Sequence, residues 1–404
     1  MNKNIKLAVA GAVLALSASA NAGIIIPAGE WTMDINGNVN AFANVTKGKG
    51  TDTTAAAVGG LATASQTHED QAQGINTGLL PSWLGFTGTT RQNDLDVSFT
   101  ISMQPNVSDN FSHGDAKTPL NRQAFVTFGD KSWGSVKLGK DIGIFASDAI
   151  LNDMTLLGVG AGAATSGAAT TLGGIGTGYI YAAWKGQIAY TTPNFNGFQA
   201  TVGITNPNQG QGNSVAAHSG SAPETTTALY QDRFGIEGKA SYAFSGDVAS
   251  GKLWVSGASY DVTYSTAGAS YTATVADVGL NVNSGNLGLT GYYYSGEGVG
   301  TTVMGNLAHT SGVKRDSDGG YAQVTYVLPT KTKLGLAYGT SNLDRANTGD
   351  TGVISKNERI TLGLYHPLTK HLNLVAEYND IESRVHTGAK GESQSGSLGA
   401  ILFF

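Results

Sequence analysis

The chain has 404 residues, 57 Gly, 9 Pro, no Cys, 13% charged residues and a formal net charge of −5 from 24 Lys+Arg and 29 Asp+Glu. Without Cys there is no disulfide scaffold, Cys-ligated zinc, iron–sulfur cluster or thiol nucleophile, and without a basic excess there is no electrostatic footprint for nucleic acid. Glycine at roughly twice its usual ~7% share, but with no three-residue period, excludes collagen, and the apolar content excludes a solvated disordered chain.

At the start, Lys3 and Lys6 precede an apolar run over residues 7–20, which Ala20-Asn21-Ala22 closes with the small-x-small pattern of a cleavage site. This order predicts a cleaved secretory signal peptide over residues 1–22. The run is shorter than the ~20 residues of a membrane-spanning helix. No comparable run follows it, so no transmembrane helix is predicted. Loss of Lys3 and Lys6 takes the formal charge from −5 to −7.

From Trp31 onward the dominant pattern is alternation with period two. Trp31, Met33, Ile35, Val39 and Val45 lie opposite Thr32, Asp34, Asn36, Asn38 and Asn40. Leu95, Val97, Phe99, Ile101 and Met103 alternate with Asp94, Asp96, Ser98, Thr100 and Ser102. Leu334, Leu336 and Tyr338, then Ile360, Leu362 and Leu364, repeat the theme. Each stretch reads as a strand with one apolar and one polar face. Gly, Pro and Asn mark short connections at residues 129–132, 193–196, 283–286, 329–331 and 367–370. Long ones fall near 46–78, 104–120, 141–183, 206–230, 298–317, 344–355 and 384–392. The rhythm puts tight turns at one rim and long loops at the other. The tally is roughly sixteen strands of about 8–13 residues, suited to tilted membrane-spanning strands.

Trp31, Trp83, Trp133, Tyr292-Tyr293-Tyr294 and Phe403-Phe404 are candidate aromatic girdles. A soluble sandwich would account for the two faces but not for the short–long rhythm. A β-helix would need a fixed coil repeat, which is missing. The expected fold is all-β: a closed transmembrane antiparallel barrel, apolar outside, with a water-filled lumen rather than a packed core.

Several local motifs now gain meaning from their order. They are Leu84-Gly85-Phe86-Thr87-Gly88, Arg122-Gln123-Ala124-Phe125-Val126, Trp133-Gly134-Ser135-Val136-Lys137-Leu138-Gly139-Lys140, Ala189-Tyr190-Thr191-Thr192-Pro193-Asn194-Phe195-Asn196-Gly197-Phe198 and the terminal Phe404. In this order the sequence resembles the Gram-negative general porins, the trimeric sixteen-stranded branch, over essentially all of residues 23–404. The resemblance implies a homotrimer in the outer membrane, in contact with its lipid and lipopolysaccharide and delivered by the barrel-assembly machinery. The terminal Phe404 would be part of the assembly signal. Such a channel passes ions and small hydrophilic solutes by diffusion, with no cofactor, metal, nucleic acid or catalytic residue.

The resemblance further implies that the third long loop, residues 141–183, folds into the barrel as a constriction, with Asp141, Asp148 and Asp153 its ionised residues. Arg122, Lys140 and Lys185 match basic positions on the facing wall, while Trp83 stands where relatives commonly carry Arg. Lys137, Lys239 and Arg359 fall on polar faces and are further lumen candidates. Opposed charges across such a constriction would set up a transverse field. The charge of −7 and the acidic loop predict a mild cation preference.

Other motifs carry less. The run Gly173-Gly174-Ile175-Gly176-Thr177-Gly178 lacks the strand–helix unit that dinucleotide binding needs. Asp316-Ser317-Asp318-Gly319-Gly320 lacks the terminal Glu of a calcium loop and reads as a turn. Ser112, His113 and Asp115 are sequence neighbours, whereas a catalytic triad is assembled by fold geometry. The alternatives to a general pore are a substrate-specific channel using Trp83 and nearby Tyr residues, and a non-conducting barrel that displays its loops.

Overall fold

The computed structural model describes residues 23–49, 58–62, 71–105, 107, 120–163, 170–206, 233–263, 270–310 and 312–404. The expected signal peptide and Ser112, His113 and Asp115 lie outside the described residues. The strands are β1 (Ile24–Ala28), β2 (Trp31–Lys49), β3 (Gln71–Asn76), β4 (Trp83–Gln92), β5 (Leu95–Gln104), β6 (Leu120–Asp130), β7 (Gly134–Ile142), β8 (Trp184–Thr191), β9 (Phe198–Thr205) and β10 (Gly235–Ser245). They continue as β11 (Ser250–Thr263), β12 (Ser270–Ser284), β13 (Leu287–Glu297), β14 (His309–Thr310), β15 (Val313–Lys314), β16 (Asp316–Val327), β17 (Lys333–Leu343), β18 (Ile354–Pro367), β19 (Leu372–Val385) and β20 (Lys390–Phe403). A short helix α1 (Ser147–Asn152) and a 3-10 turn (Met154–Leu157) lie between β7 and β8.

Successive strands pair antiparallel, and β2 closes the ring. On one edge β2 takes β20 from Asn38↔Phe403 to Lys49↔Glu392, and β1 continues that edge from Ala28↔Trp31 to Ile24↔Ile35. On the other edge it takes β4 and, beyond the break at residues 77–82, β3. β1 with β20, and β3 with β4, thus share positions, so the 18 strands of the sheet make a 16-stranded barrel. The last residue completes the seam: Gly37 N–H donates to Phe404 O at 2.8 Å and Phe404 N–H donates to Gly37 O at 3.0 Å. In a hydrocarbon environment such closure is obligatory, because an open edge would leave backbone groups unpaired.

Alternation sorts the two faces as the sequence predicts. Val39, Val45, Ile101, Leu334, Leu336, Ile360, Leu362 and Leu364 are exposed on the outer face. Asn38, Asn40, Ser98, Ser102, Arg359 and Thr361 are buried on the inner one. The Tyr292–Tyr294 run divides accordingly, with only Tyr293 outside, and Phe403 also turns inward. Trp133 remains exposed at a short turn.

The interior departs from a wholly water-filled lumen. Phe145, Ala149, Ile150, Leu156, Val159, Tyr179 and Ile180 of the 143–183 connection form one apolar cluster with Trp254, Tyr260, Tyr292, Tyr294, Tyr321 and Tyr365 of the wall. The inward aromatic residues on β11, β13, β16 and β18 give the connection an apolar surface to cover.

Some boundaries move. The connection expected at 384–392 is short, because β19 and β20 stay paired to Arg384↔Lys390, their charged ends being strand rather than loop. β2 runs on to Lys49 and β3 occupies part of the expected 46–78 connection. Asp141 belongs to β7, and the stretch beginning at Asp316 opens β16 rather than a turn.

A side chain at Gly37 would collide with the Trp83 carbonyl oxygen and the Phe404 ring, where the seam closes. Gly37→Val is therefore expected to cost about 1–3 kcal/mol, as overpacking does. The check is the denaturant midpoint of the barrel refolded in lipid vesicles. An unchanged midpoint would show that the seam tolerates a wider spacing.

Candidate pore lining

The connection between β7 and β8 runs along the inner wall and is tied to it by carboxylates. At its start, Glu237 on β10 accepts from Ile144 N–H at 2.6 Å and Phe145 N–H at 2.9 Å, and also binds Lys185 and the Tyr260 hydroxyl. Farther round, Glu377 on β19 accepts from Val159 N–H and Gly160 N–H, both at 2.8 Å, and from the Tyr365 hydroxyl at 2.6 Å. Between these points Tyr321 donates to Ala149 O at 2.8 Å, and Gln323 takes Met154 N–H at 2.9 Å while donating to Asn152 O at 2.8 Å.

The connection then reaches the break between β3 and β4, where Leu79 N–H donates to Gly158 O at 2.9 Å and Thr171 N–H donates to Gly78 O at 3.2 Å. That break is held by the inward Asn ladder of β2: the Asn38 and Asn40 amides donate to Pro81 O and Leu80 O at 2.8 and 3.0 Å. The irregular backbone thus lies inside the barrel with its polar groups met by the wall, as backbone at membrane depth must.

The acidic candidates each lie within ion-pair distance of a cation. Asp148, on α1, accepts from Lys239 at 3.1 Å and from Lys252. Its burial alone would raise its pKa, but the two lysine charges outweigh that and hold it below the ordinary carboxylate value. Asp153 caps the 3-10 turn by accepting from Thr155 N–H at 2.9 Å, and it also takes Gly174 N–H at 2.9 Å and the Tyr179 hydroxyl at 2.8 Å. Arg359 lies 4.0 Å from Asp153 and donates to Thr177 at 3.1 Å. Burial, then the Asp153 charge, pushes the Tyr179 hydroxyl well above its usual pKa. Asp141 pairs with Lys137, which lies 4.8 Å from the Phe125 ring, and accepts from Gln123 at 3.0 Å.

The lumen therefore does not hold separated walls of opposite charge. Where pairs meet water, the cation is the accessible partner. Lys137, Lys239 and Lys252 keep 29%, 20% and 32% of their side-chain surface, against 2% for Asp141 and 6% for Asp148. Lys185 is buried behind the connection. Trp83 sits low on the inner face, 3.4 Å from the Asn36 amide oxygen and edge-on to Phe403.

Two basic candidates face the other way. Lys140 shares the outward face of β7 with Val136 and Leu138, and its ammonium donates to Asn121 O at 2.8 Å. Arg122 lies at the register shift between β5 and β6, with its guanidinium 6.0 Å from the Trp184 ring. Trp184 is outside, two residues from Gly186 and four from exposed Ile188. Arg122 has the parity of Ala124 and exposed Val126 on β6, so alternation places it outside although its motif suggests the pore wall.

Glu237, Glu377 and Lys252 were not among the sequence candidates. Their signal is a lone charge within a strand whose alternate residues are apolar, as Glu377 is between Ala376 and Tyr378 beside Leu374. Such a charge has to face inward.

A profile described as Gram-negative porin matches residues 7–386. Among solved structures, the chain is similar to the outer membrane channel DcaP of Acinetobacter baumannii, with a TM-score of 0.67 and 16% identity over 95% of this chain and 100% of that one. It is similar to an anion-selective porin from Comamonas acidovorans, with a TM-score of 0.62 and 16% identity over 93% and 100% of the two chains. It is also similar to Salmonella typhi OmpF, solved with daunomycin, with a TM-score of 0.59 and 14% identity over 94% and 100%. None of the curated proteins compared matches the sequence.

Asp148→Asn removes both lysine contacts of α1. The expected loss is about 2 kcal/mol, between the ~0–1 of an exposed pair and the ~3–5 of breaking a buried one. It would be read from the unfolding midpoint, together with noisier or larger single-channel currents. The same pair sets a pH window. A carboxyl whose folded pKa lies below the unfolded value of 3.8 contributes fully above that value and is lost as pH falls through the depressed one. Conductance is expected to stay flat from about pH 8 to 5. A step in that interval would mean that a group other than Asp148 titrates there and controls the aperture.

Proposed function

Because the chain belongs to the Gram-negative porin family and forms an outer-membrane channel for passive diffusion, we propose that residues 143–183 are its constriction and that lysine ammonium groups set a weak anion preference. The carrying observation is the orientation of the ion pairs: Asp141 and Asp148 are turned into protein, while Lys137, Lys239 and Lys252 face water. Charges in direct contact produce only a short-ranged field, so the exposed member of each pair dominates what a passing ion meets. This reverses the cation preference expected from net charge, since local charges at the narrowest point outweigh the sum over the molecule.

The barrel works as a homotrimer, is exported through cleavage after Ala22, and uses Phe404 in outer-membrane assembly. These readings rest on the resemblance of the motifs and, for Phe404, on its place at the seam. No covalent chemistry or energy input enters the reading, because diffusion needs only width and charge.

Reconstitution in a planar bilayer tests this directly. Wild type in a potassium chloride gradient is expected to give a chloride-to-potassium permeability ratio above unity and closures in groups of three. Replacing both Lys239 and Lys252 by Glu should bring the ratio below unity, whereas Lys356→Gln, at the outer rim, should leave it unchanged. A cation-selective wild type would overturn the lysine reading. A folded barrel carrying no current would overturn the constriction reading as well.

A further inference from the structure

The connection between β13 and β16 is a second stretch of chain that folds inward. Val299, Thr301, Thr302, Val303, Met304 and Ala308 are buried, and Val299 and Met304 join the apolar cluster that holds the β7–β8 connection. The two connections touch directly. Tyr181 N–H donates to Thr302 O at 2.9 Å, Tyr181 and Val303 pair as a parallel bridge, and a Cβ on Gly176 would collide with Thr302 Oγ1. On their wall side, residues 174–181 are held by Gly178 N–H, which donates to Ser341 Oγ at 3.0 Å, and by Thr177 Oγ1, which accepts from Arg359 at 3.1 Å. The second connection therefore takes up cross-section inside the barrel, directly against the first.

Its backbone is strained. Thr302 has φ 67° and Leu307 φ 56°, in the left-handed region that branched side chains adopt only where the surroundings over-determine it. Thr302 Oγ1 is also buried without a hydrogen-bond partner, a cost that solvent would remove.

Arg315 holds this seat. Its Nε and Nη2 donate to the two carboxylate oxygens of Asp350 at 2.7 and 2.9 Å, and its Nη1 donates to Leu307 O at 2.9 Å and His309 O at 2.8 Å. Its backbone closes the base of the connection, with Arg315 N–H donating to Ala308 O and Gly298 N–H donating to Arg315 O, both at 2.9 Å. Only 5% of the Arg315 side chain and 9% of the Asp350 side chain are exposed. Asp350 also takes Ala346 N–H at 3.0 Å, so one guanidinium ties the β13–β16 connection to the β17–β18 connection. Leu307 packs beside that junction on Leu343, Val353 and Ile354. Rim pairs such as Lys356–Glu358 and Arg384–Glu382 join residues of a single strand and tie no second connection.

We propose that residues 298–310 form a gate at the long-loop side of the constriction, latched in its narrow position by Arg315 and Asp350. Latched, the connection fills part of the barrel beside residues 174–181. Unlatched, it leaves the interior for the water beyond the rim, which relaxes Thr302 and Leu307, hydrates Thr302 Oγ1 and widens the path. A planar, bidentate guanidinium suits the latch, because both of its bonds to Asp350 must break together. The proposal rests on the reading of residues 143–183 as the constriction.

The test is single-channel recording of Arg315→Gln and Asp350→Asn in planar bilayers. Each should visit a second, higher conductance level at least about tenfold more often than wild type, since breaking one partner of a buried pair is costly, while Arg384→Gln should behave as wild type. The chain has no Cys, so Tyr181→Cys with Val303→Cys supplies a clean pair of thiols, joined during refolding by a short reducible crosslinker. In the Arg315→Gln background the crosslink should abolish the higher level, and reduction should restore it. General weakening of the barrel would not be rescued in this way. If Arg315→Gln does not fold, Asp350→Asn, which leaves the guanidinium on Leu307 O and His309 O, carries both arms. A second level below the first, no second level, or one that the crosslink leaves in place would overturn the gate. Unchanged gating in a channel whose selectivity still follows Lys239 and Lys252 would overturn the gate alone, whereas selectivity indifferent to those lysines would overturn the constriction reading.

Discussion

The backbone hydrogen bond in a medium without water constrains the rest of this molecule. Each N–H and C=O at membrane depth needs a protein partner, and β2 shows how completely the demand is met. It carries β1 and β20 on one edge and β3 and β4 on the other, and Phe404 extends the ladder to the final residue. Closure then dictates the side chains. One face of each strand meets hydrocarbon, so the other must hold whatever is polar, and the alternation running through the chain is the imprint of that division.

The same rule explains the carboxylates inside. The connection after β7 brings irregular backbone into the barrel, away from bulk water, with amide groups that the ladder cannot satisfy. Glu237 and Glu377 each accept two consecutive amides of it, while Asp153 accepts two more within the connection itself. These acids are structural receptors, and the bases near them compensate their charge. Electrostatics inside the pore therefore follows first from the needs of the backbone and only then from the passage of ions.

What the sequence discloses depends on how local the cause is. The faces of β2, β5, β17 and β18 are legible because lipid imposes apolarity on every second residue. The packed interior is not, since Trp254, Tyr292 and Tyr321 look like any inward residue until the connection is seen against them. Among the proposed site residues, Lys137, Lys239 and Arg359 follow parity and do face inward. Lys140 has the parity of Val136 and Leu138, so alternation places it outside although its motif suggests the pore wall. Arg122 likewise has the parity of exposed Val126 on β6, so alternation places it outside against its motif. The Arg384 and Lys390 region reads as loop by composition, yet the strands continue through it, with Lys390 pairing across the ladder to Glu382, which also takes Arg384 on its own strand.

The inner anchors also make the wall uneven around its circumference. From β10 to β19 the barrel is backed by a packed apolar cluster and by hydrogen bonds from inside. The β5–β6 wall has neighbouring strands and lipid but none of the anchors just described. Resistance to deformation is therefore concentrated on one flank. A stretched or thinned membrane would therefore meet least resistance at the unbacked flank, with the braced side as the stiffer jaw.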